Sequence, residues 1–339
     1  GVEWHEMQTD FESSFEKKFC ADTKSEDWMK RVAILCCAGT GNFGDDIIFE
    51  GLVKRLAREG WREFFRVFRI NGETIQKVNE CDFLVIGGGE LLSGTDILSQ
   101  IVDHDIKIPY EFRCVGVGSE EDIVPHIGKL HPLRYTVRTP ADDAIMKSCG
   151  VEAKVEFDPI FEFASERYMN NGRVALCLRN ENKSVEFIDT LAHELDFLID
   201  AGARVDLVGV TSIPRHQRHY HGEEAWVGDC NDAVLVMAIA SRMRNRCMNL
   251  IYSAEPQIFM GELGCYDGIV SERLHPNMAA WVRGVPFLCI PTFVKSMKFL
   301  NMIGKGNLTI GDAPVDIVAG VRRLSNHTQE KLDATVHAS

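Results

Sequence analysis

The chain has 339 residues, 45% hydrophobic and 26% charged, the composition of a folded globular protein with room for two ordinary domains. Its formal net charge of -13 produces an average field that repels phosphate-rich partners, which excludes a general nucleic-acid or membrane-surface binder; any anionic ligand must meet a local cluster of cations. No apolar stretch is long enough to span a bilayer and the charged, aromatic start does not read as a signal, although Gly1 in place of an initiating Met leaves a removed targeting segment open.

Apolar strand-like runs alternate with helical segments almost throughout, the pattern of parallel sheets covered on both faces. The first half offers strands at 31–37, 64–70, 82–86, 112–117 and 134–137. Between the first two lies a helix with Asp45 and Asp46 at its start, Ile47, Ile48, Leu52 and Leu56 on one face, and Gly60 behind it. Another follows Arg138, with Thr139 as its cap, Pro140 in its first turn and Asp142 facing back.

The polar stretch 164–172, with its Asn-Asn-Gly turn signal, is the expected hinge. Strands then recur near 173–178, 204–210, 248–252, 267–270 and 286–290. Ser184 should cap a helix over 185–201, a second helix is expected over 231–246 with Arg242, Arg244 and Arg246 at its end, and a third around 313–323. The expected domains are an N-terminal extension at 1–30, a Rossmann-like domain at 31–165, a second at 172–303, and a C-terminal helix and mobile tail at 304–339. Two doubly wound domains facing a cleft would put their ligand loops at the carboxyl ends of the strands.

Eleven cysteines lack any C-x-x-C spacing, and Cys36, Cys37, Cys114, Cys177 and Cys289 fall in apolar runs. They read as core thiols of a protein from a reducing compartment, hence a cytoplasmic expectation.

Two glycine clusters mark candidate ligand loops. GTGNFGDD, with Gly41, Asn42, Gly44 and Asp45, sits at a strand-to-helix junction where free amides and the helix dipole favour an anion; a tight turn is the competing reading. Gly87, Gly88 and Gly89, followed by Glu90, leave the third strand of the same sheet, where close approach of a ligand and simple packing are both open. Later, a strand runs into Ser271-Glu272-Arg273-Leu274-His275 at the start of a helix, so that Arg273 and His275 stand where the dipole disfavours cations and a bound anion would relieve them. His216, His219 and His221 match no standard metal spacing, and no metal site is expected.

Taken together, GTGNFGDDIIFEGL, VIGGGELL, VALCLRN and SERLHPNMAAWVRGVPFLCIPTFVK resemble the polysaccharide pyruvyl transferase family, in its order and approximate spacing over residues 32–303. The resemblance implies a glycosyltransferase B type fold and transfer of pyruvate from phosphoenolpyruvate to two sugar hydroxyls, giving a ketal without a cofactor. It implies donor-binding roles for Arg179, Arg273, His275 and Lys295, with His275 as acid or phosphate partner, while Asp45 and Glu90 would face a glycan or glycolipid acceptor as bases. Truncation of Arg273 is expected to weaken donor binding and leave folding intact. Arg138-Thr139-Pro140 and Pro291-Thr292-Phe293 depart from the family pattern, whereas Asp158-Pro159 retains its D-P step at the end of the first domain. A nucleotide-sugar glycosyltransferase of the same fold and a non-catalytic assembly module are the alternatives; homo-oligomerisation is left open.

Overall fold

The computed structural model describes residues 30–93, 96–164, 170–181, 183–212 and 231–337. The expected extension before Lys30, most of the hinge and the histidines 216, 219 and 221 lie outside them.

The first domain is a parallel sheet of six strands: β1 (Arg31–Leu35), β2 (Glu63–Val67), β3 (Phe83–Gly87), β4 (Tyr110–Val115), β5 (Tyr135–Val137) and β6 (Lys154–Val155). Their spatial order is β2-β1-β3-β4-β5-β6. Residues alternate between its faces. Val32 and Ile34 pack with Ile48, Leu52 and Leu56 of the Phe43–Arg58 helix, while Ala33 and Leu35 join Leu84, Ile86 and Phe112 on the other side. Helices Thr74–Asn79, Asp96–Asp103, Glu120–Ile127 and Pro140–Ser148 complete the layers.

The second domain is a five-stranded parallel sheet of β7 (Val174–Cys177), β8 (Val205–Gly209), β9 (Met248–Ile251), β10 (Gly268–Ser271) and β11 (Phe287–Cys289), ordered β11-β10-β7-β8-β9. Its helices are Val185–Asp200, Asp232–Ala240, Pro256–Gly264, Leu274–Arg283, Val294–Met302 and Pro314–His337. The last brings Ile317, Val318, Val321 and Leu324 into the core against Val174, Leu176 and Val270, and it runs on to His337, beyond the span around 313–323 that periodicity marks. The helix expected to reach residue 246 stops at Ala240, because the backbone amides of Arg244 and Asn245 donate to the buried carboxylate of Asp196, both at 2.8 Å, and draw the chain aside.

In each sheet the chain reverses direction of growth at one place, between β1 and β3 in the first and between β7 and β10 in the second. Crevices open at such switch points, at the carboxyl ends of the strands. The loops after these four strands carry GTGN, GGGE, Arg179 and Arg273.

The domains are docked face to face. Phe43 N–H donates to Val210 C=O at 3.0 Å and Ser212 N–H to Gly41 C=O at 2.9 Å, so the first glycine loop forms a short antiparallel bridge with the end of β8. Phe43 and Ile47 of the first domain sit in the same apolar cluster as Tyr252, Phe259 and Met278 of the second. Lys298 crosses over to Asp142 at 2.8 Å and to the Val117 carbonyl at 2.7 Å. Among the described residues no helix is long and apolar enough to cross a membrane.

Candidate functional site

A cleft of about 570 Å³ opens where the two switch points face each other. Most of the residues singled out in the sequence line it: Asn42, Gly44, Asp45, Gly89 and Glu90 from the first domain, and Arg179, Arg273, His275 and Lys295 from the second. Gly41, Gly87 and Gly88 do not. Gly41 joins the bridge to β8, and a β-carbon on Gly88, whose φ is +71°, would stand 1.9 Å from a methyl of Ile48. At these glycines the packing reading of the loops holds.

Three of the first loop's amides have protein acceptors. Gly39 N–H donates to the Asp46 carboxylate, Phe43 N–H to Val210 and Gly44 N–H to the Asn42 side chain at 3.1 Å. These bonds tie the loop to the helix start and to the second domain, and it offers the cleft the Asp45 carboxylate, held by the Asn42 amide at 2.8 Å. Burial, reinforced by the neighbouring Asp46 charge, pushes Asp45 up to about 6, against the pull of Lys295.

Arg273 caps the Leu274–Arg283 helix without a side-chain cap bond and forms a forked pair with Asp232, Nε to Oδ2 at 3.0 Å. Asp232 is fully buried at the start of its own helix, so this arginine is structural support as well as a wall of the cleft. His275 stands in the first turn of the same helix, its Nε2 buried and without a hydrogen-bond partner among the described residues. Burial pushes the imidazole down to about 4; Asp158 opposes this, while Arg138, Lys295 and Arg273 add to it. The ring is therefore neutral near pH 7, and an anion placed beside it would raise its proton affinity.

Arg179 follows β7 as expected. Its guanidinium lies 4.2 Å from the centre of the Phe293 ring and its Nε 2.6 Å from Glu181. Phe293 is thus a platform for a cleft arginine. Lys295 reaches across to Glu90 at 3.2 Å. Glu272 sits beneath, accepting from the Arg179 amide at 3.0 Å and from Lys183 at 3.2 Å.

Arg138 escaped the sequence reading as a site residue, though it stands at the carboxyl end of β5 just before a helix cap, a place where ligand-facing residues gather. It is 5% exposed, faces the cleft, approaches Asp158 at only 3.5 Å, and keeps a buried Nε with no hydrogen-bond partner among the described residues. Five cationic or proton-bearing groups from both domains, Arg138, Arg179, Arg273, His275 and Lys295, therefore converge on one cleft of a strongly acidic protein. Among the described residues no group of three or more His, Cys, Asp or Glu side chains is arranged to hold a metal ion.

Residues 141–292 match the model of the polysaccharide pyruvyl transferase family. The pyruvyl transferase match takes in Arg179, Arg273, His275 and Phe293's neighbours up to Thr292, but not Lys295 or the first-domain residues Asp45, Glu90 and Arg138. No curated protein matches the chain at a significant level. Among solved structures, S. aureus MnaA, determined with UDP, is 10% identical over 88% of this chain and 88% of its own, with a TM-score of 0.55. UDP-GlcNAc 2-epimerase of Methanocaldococcus jannaschii, in complex with UDP-GlcNAc and UDP, is 10% identical over 92% of this chain and 100% of its own, with a TM-score of 0.53. At that identity the likeness shows the fold, which is the glycosyltransferase B type with two Rossmann-like domains.

Proposed function

We propose that the protein is a transferase that moves pyruvate from phosphoenolpyruvate to two hydroxyls of a glycan or glycolipid, giving a ketal and orthophosphate. The observation that supports it is the convergence of cations on the cleft; Arg138 and His275, which line it, each keep a buried side-chain nitrogen with no hydrogen-bond partner among the described residues. A donor carrying a phosphate and a carboxylate calls for guanidinium forks and a point charge at separate places, which Arg138, Arg179, Arg273 and Lys295 supply.

The chemistry requires a proton on the methylene carbon of the enol, bond formation from two hydroxyl oxygens to the adjacent carbon, and cleavage of its bond to the phosphate oxygen. One hydroxyl proton balances the proton added to carbon and the other leaves with phosphate. His275 begins neutral, and the donor's phosphate dianion favours its charged form, so donor binding itself loads the group that protonates or holds phosphate. Asp45, poised about 6, is the cleft carboxylate best placed to exchange a proton near neutrality and takes the base role toward an acceptor hydroxyl. Glu90, paired with Lys295, is available for that role only once the lysine turns to a donor anion. No cofactor is required by this reaction.

The test is incubation of the full chain with phosphoenolpyruvate and a glycan array, read by mass for added pyruvate, alongside thermal shifts with phosphoenolpyruvate, UDP- and GDP-sugars and phosphate. A ligand at ~100 times its dissociation constant adds ~2.7 kcal/mol of stability. Stabilisation by a nucleotide sugar alone would move the assignment to glycosyl transfer, and no stabilisation by any of these would favour an assembly module.

A further inference from the structure

Gly44 lies inside the Phe43–Arg58 helix with an ordinary right-handed backbone, where alanine is the intrinsically better residue. Its amide donates to Asn42, a bond any residue would make. Nothing in its own domain calls for glycine. The cause lies in the other domain: a β-carbon at residue 44 would stand 2.0 Å from Nδ1 of His275 and 2.6 Å from both Cε1 and Cγ. Such distances do not occur between real atoms, and Nδ1 and the two ring carbons belong to a stiff imidazole rather than a flexible chain end. The ring's neighbours Leu274 and Pro276 are buried, and so is its far nitrogen, so the ring can yield only by leaving its seat toward the cleft that it lines.

We propose that Gly44 is the positioning residue of His275: the missing side chain of one domain is the space that the imidazole of the other occupies once the two are docked. The inference rests on His275 being the donor-site group described above, and it adds that neither domain alone fixes that group's place. The bridge from Phe43 to Val210, one residue away, sets how deeply Gly44 presses on the ring. The cleft's proton-bearing residue is thus assembled by docking.

The test is a double-mutant cycle on the full chain, with Gly44→Ala made in the parent and in a His275→Ala background and both followed by thermal melting. Gly44→Ala is expected to lower the melting temperature by several degrees in the parent and to be neutral or stabilising once His275 is gone. Equal losses in both backgrounds, or stabilisation in the parent, would overturn the proposal. A second readout is the His275 ring signal in carbon-detected nuclear magnetic resonance, assigned by its loss in His275→Ala. The charged groups facing the ring are Asp158, Arg138, Lys295 and Arg273, and Gly44→Ala alters none of them, so a displaced ring should change shift and titrate nearer the ordinary 6.5. An unchanged signal and titration would also overturn the proposal. Neither readout needs a donor. Should phosphoenolpyruvate fail to bind the parent while the cycle behaves as expected, the donor assignment fails and the positioning stands.

Discussion

The hydroxyl of Tyr252, just beyond β9 in the second domain, donates to the carboxylate of Asp46 in the first at 2.6 Å, and both side chains are buried. The ring also packs edge-on against Phe43, with centroids 5.8 Å apart. Tyr252→Phe keeps that packing and leaves one carboxylate oxygen without its partner, a change that costs about 1–3 kcal/mol in a buried setting. Urea unfolding of the full chain should show this loss. A Phe variant as stable as the parent would mean that the hydroxyl contributes nothing to docking.

Arg273 carries a correction to the expectation that its truncation leaves folding intact. Its partner Asp232 is fully buried, so Arg273→Ala leaves a core carboxylate without its counter-charge and with backbone donors such as the Asn180 amide at 3.2 Å, and breaking a buried pair costs up to about 3–5 kcal/mol. The single variant should melt well below the parent, and Arg273→Ala with Asp232→Asn should recover part of the loss. Recovery is what circular dichroism melts would measure. No difference between the single and double variants would refute the pairing as the cause.

Arg138→Lys keeps the charge beside Asp158 but removes the planar fork that faces the cleft. Titration calorimetry should show phosphoenolpyruvate binding weakened about tenfold, equivalent to roughly 1.4 kcal/mol, with the melting temperature little changed. Unaltered binding would remove Arg138 from the donor site.

Acid titration separates two groups that act in opposite directions. His275, held down to about 4 in the native state against an ordinary 6.5, binds fewer protons folded than unfolded between those values, so its contribution to stability is lost as pH falls through that window. Asp45, pushed up to about 6 from 3.8, binds more protons folded than unfolded, so its contribution is lost as pH rises between those values. His275→Gln should flatten the acid limb of the stability profile, and Asp45→Asn should make the protein more stable at pH 7 by on the order of 1–3 kcal/mol. Profiles of stability against pH that coincide with the parent's would contradict both assignments.

Most of the fold was legible because parallel strands covered on both faces are continuous apolar runs, as at Val32–Leu35 and Val174–Cys177, and because Ser184 and Thr139 announce their helices by capping. β6 was not, since two residues, one exposed, leave no pattern. The early stop at Ala240 depends on Asp196, more than forty residues back in the chain, and local periodicity carries no trace of it. In the site, Arg179, Arg273, His275 and Lys295 announced themselves, but Arg138 and the partners of these groups did not. Asp232 reads as an ordinary helix-starting acid, and Phe293 as a departure from a family pattern, until the fold sets one against Arg273 and the other against Arg179. The strand-run cysteines did bury: Cys36, Cys114, Cys177 and Cys289 are in the core, with Cys37 only partly covered.

Phe43 and Ile47 belong by sequence to the first sheet's leading helix, yet they fill the second domain's core. The seam between the halves of the molecule therefore does not follow the chain. A first half expressed by itself would present both side chains to water beside the unbridged backbone of Gly41 and Phe43, and a second half would have a hole beneath Tyr252 and Phe259. Chimeras that exchange one domain for a relative's would have to carry the start of that helix with the recipient core rather than with the sheet to which it is joined.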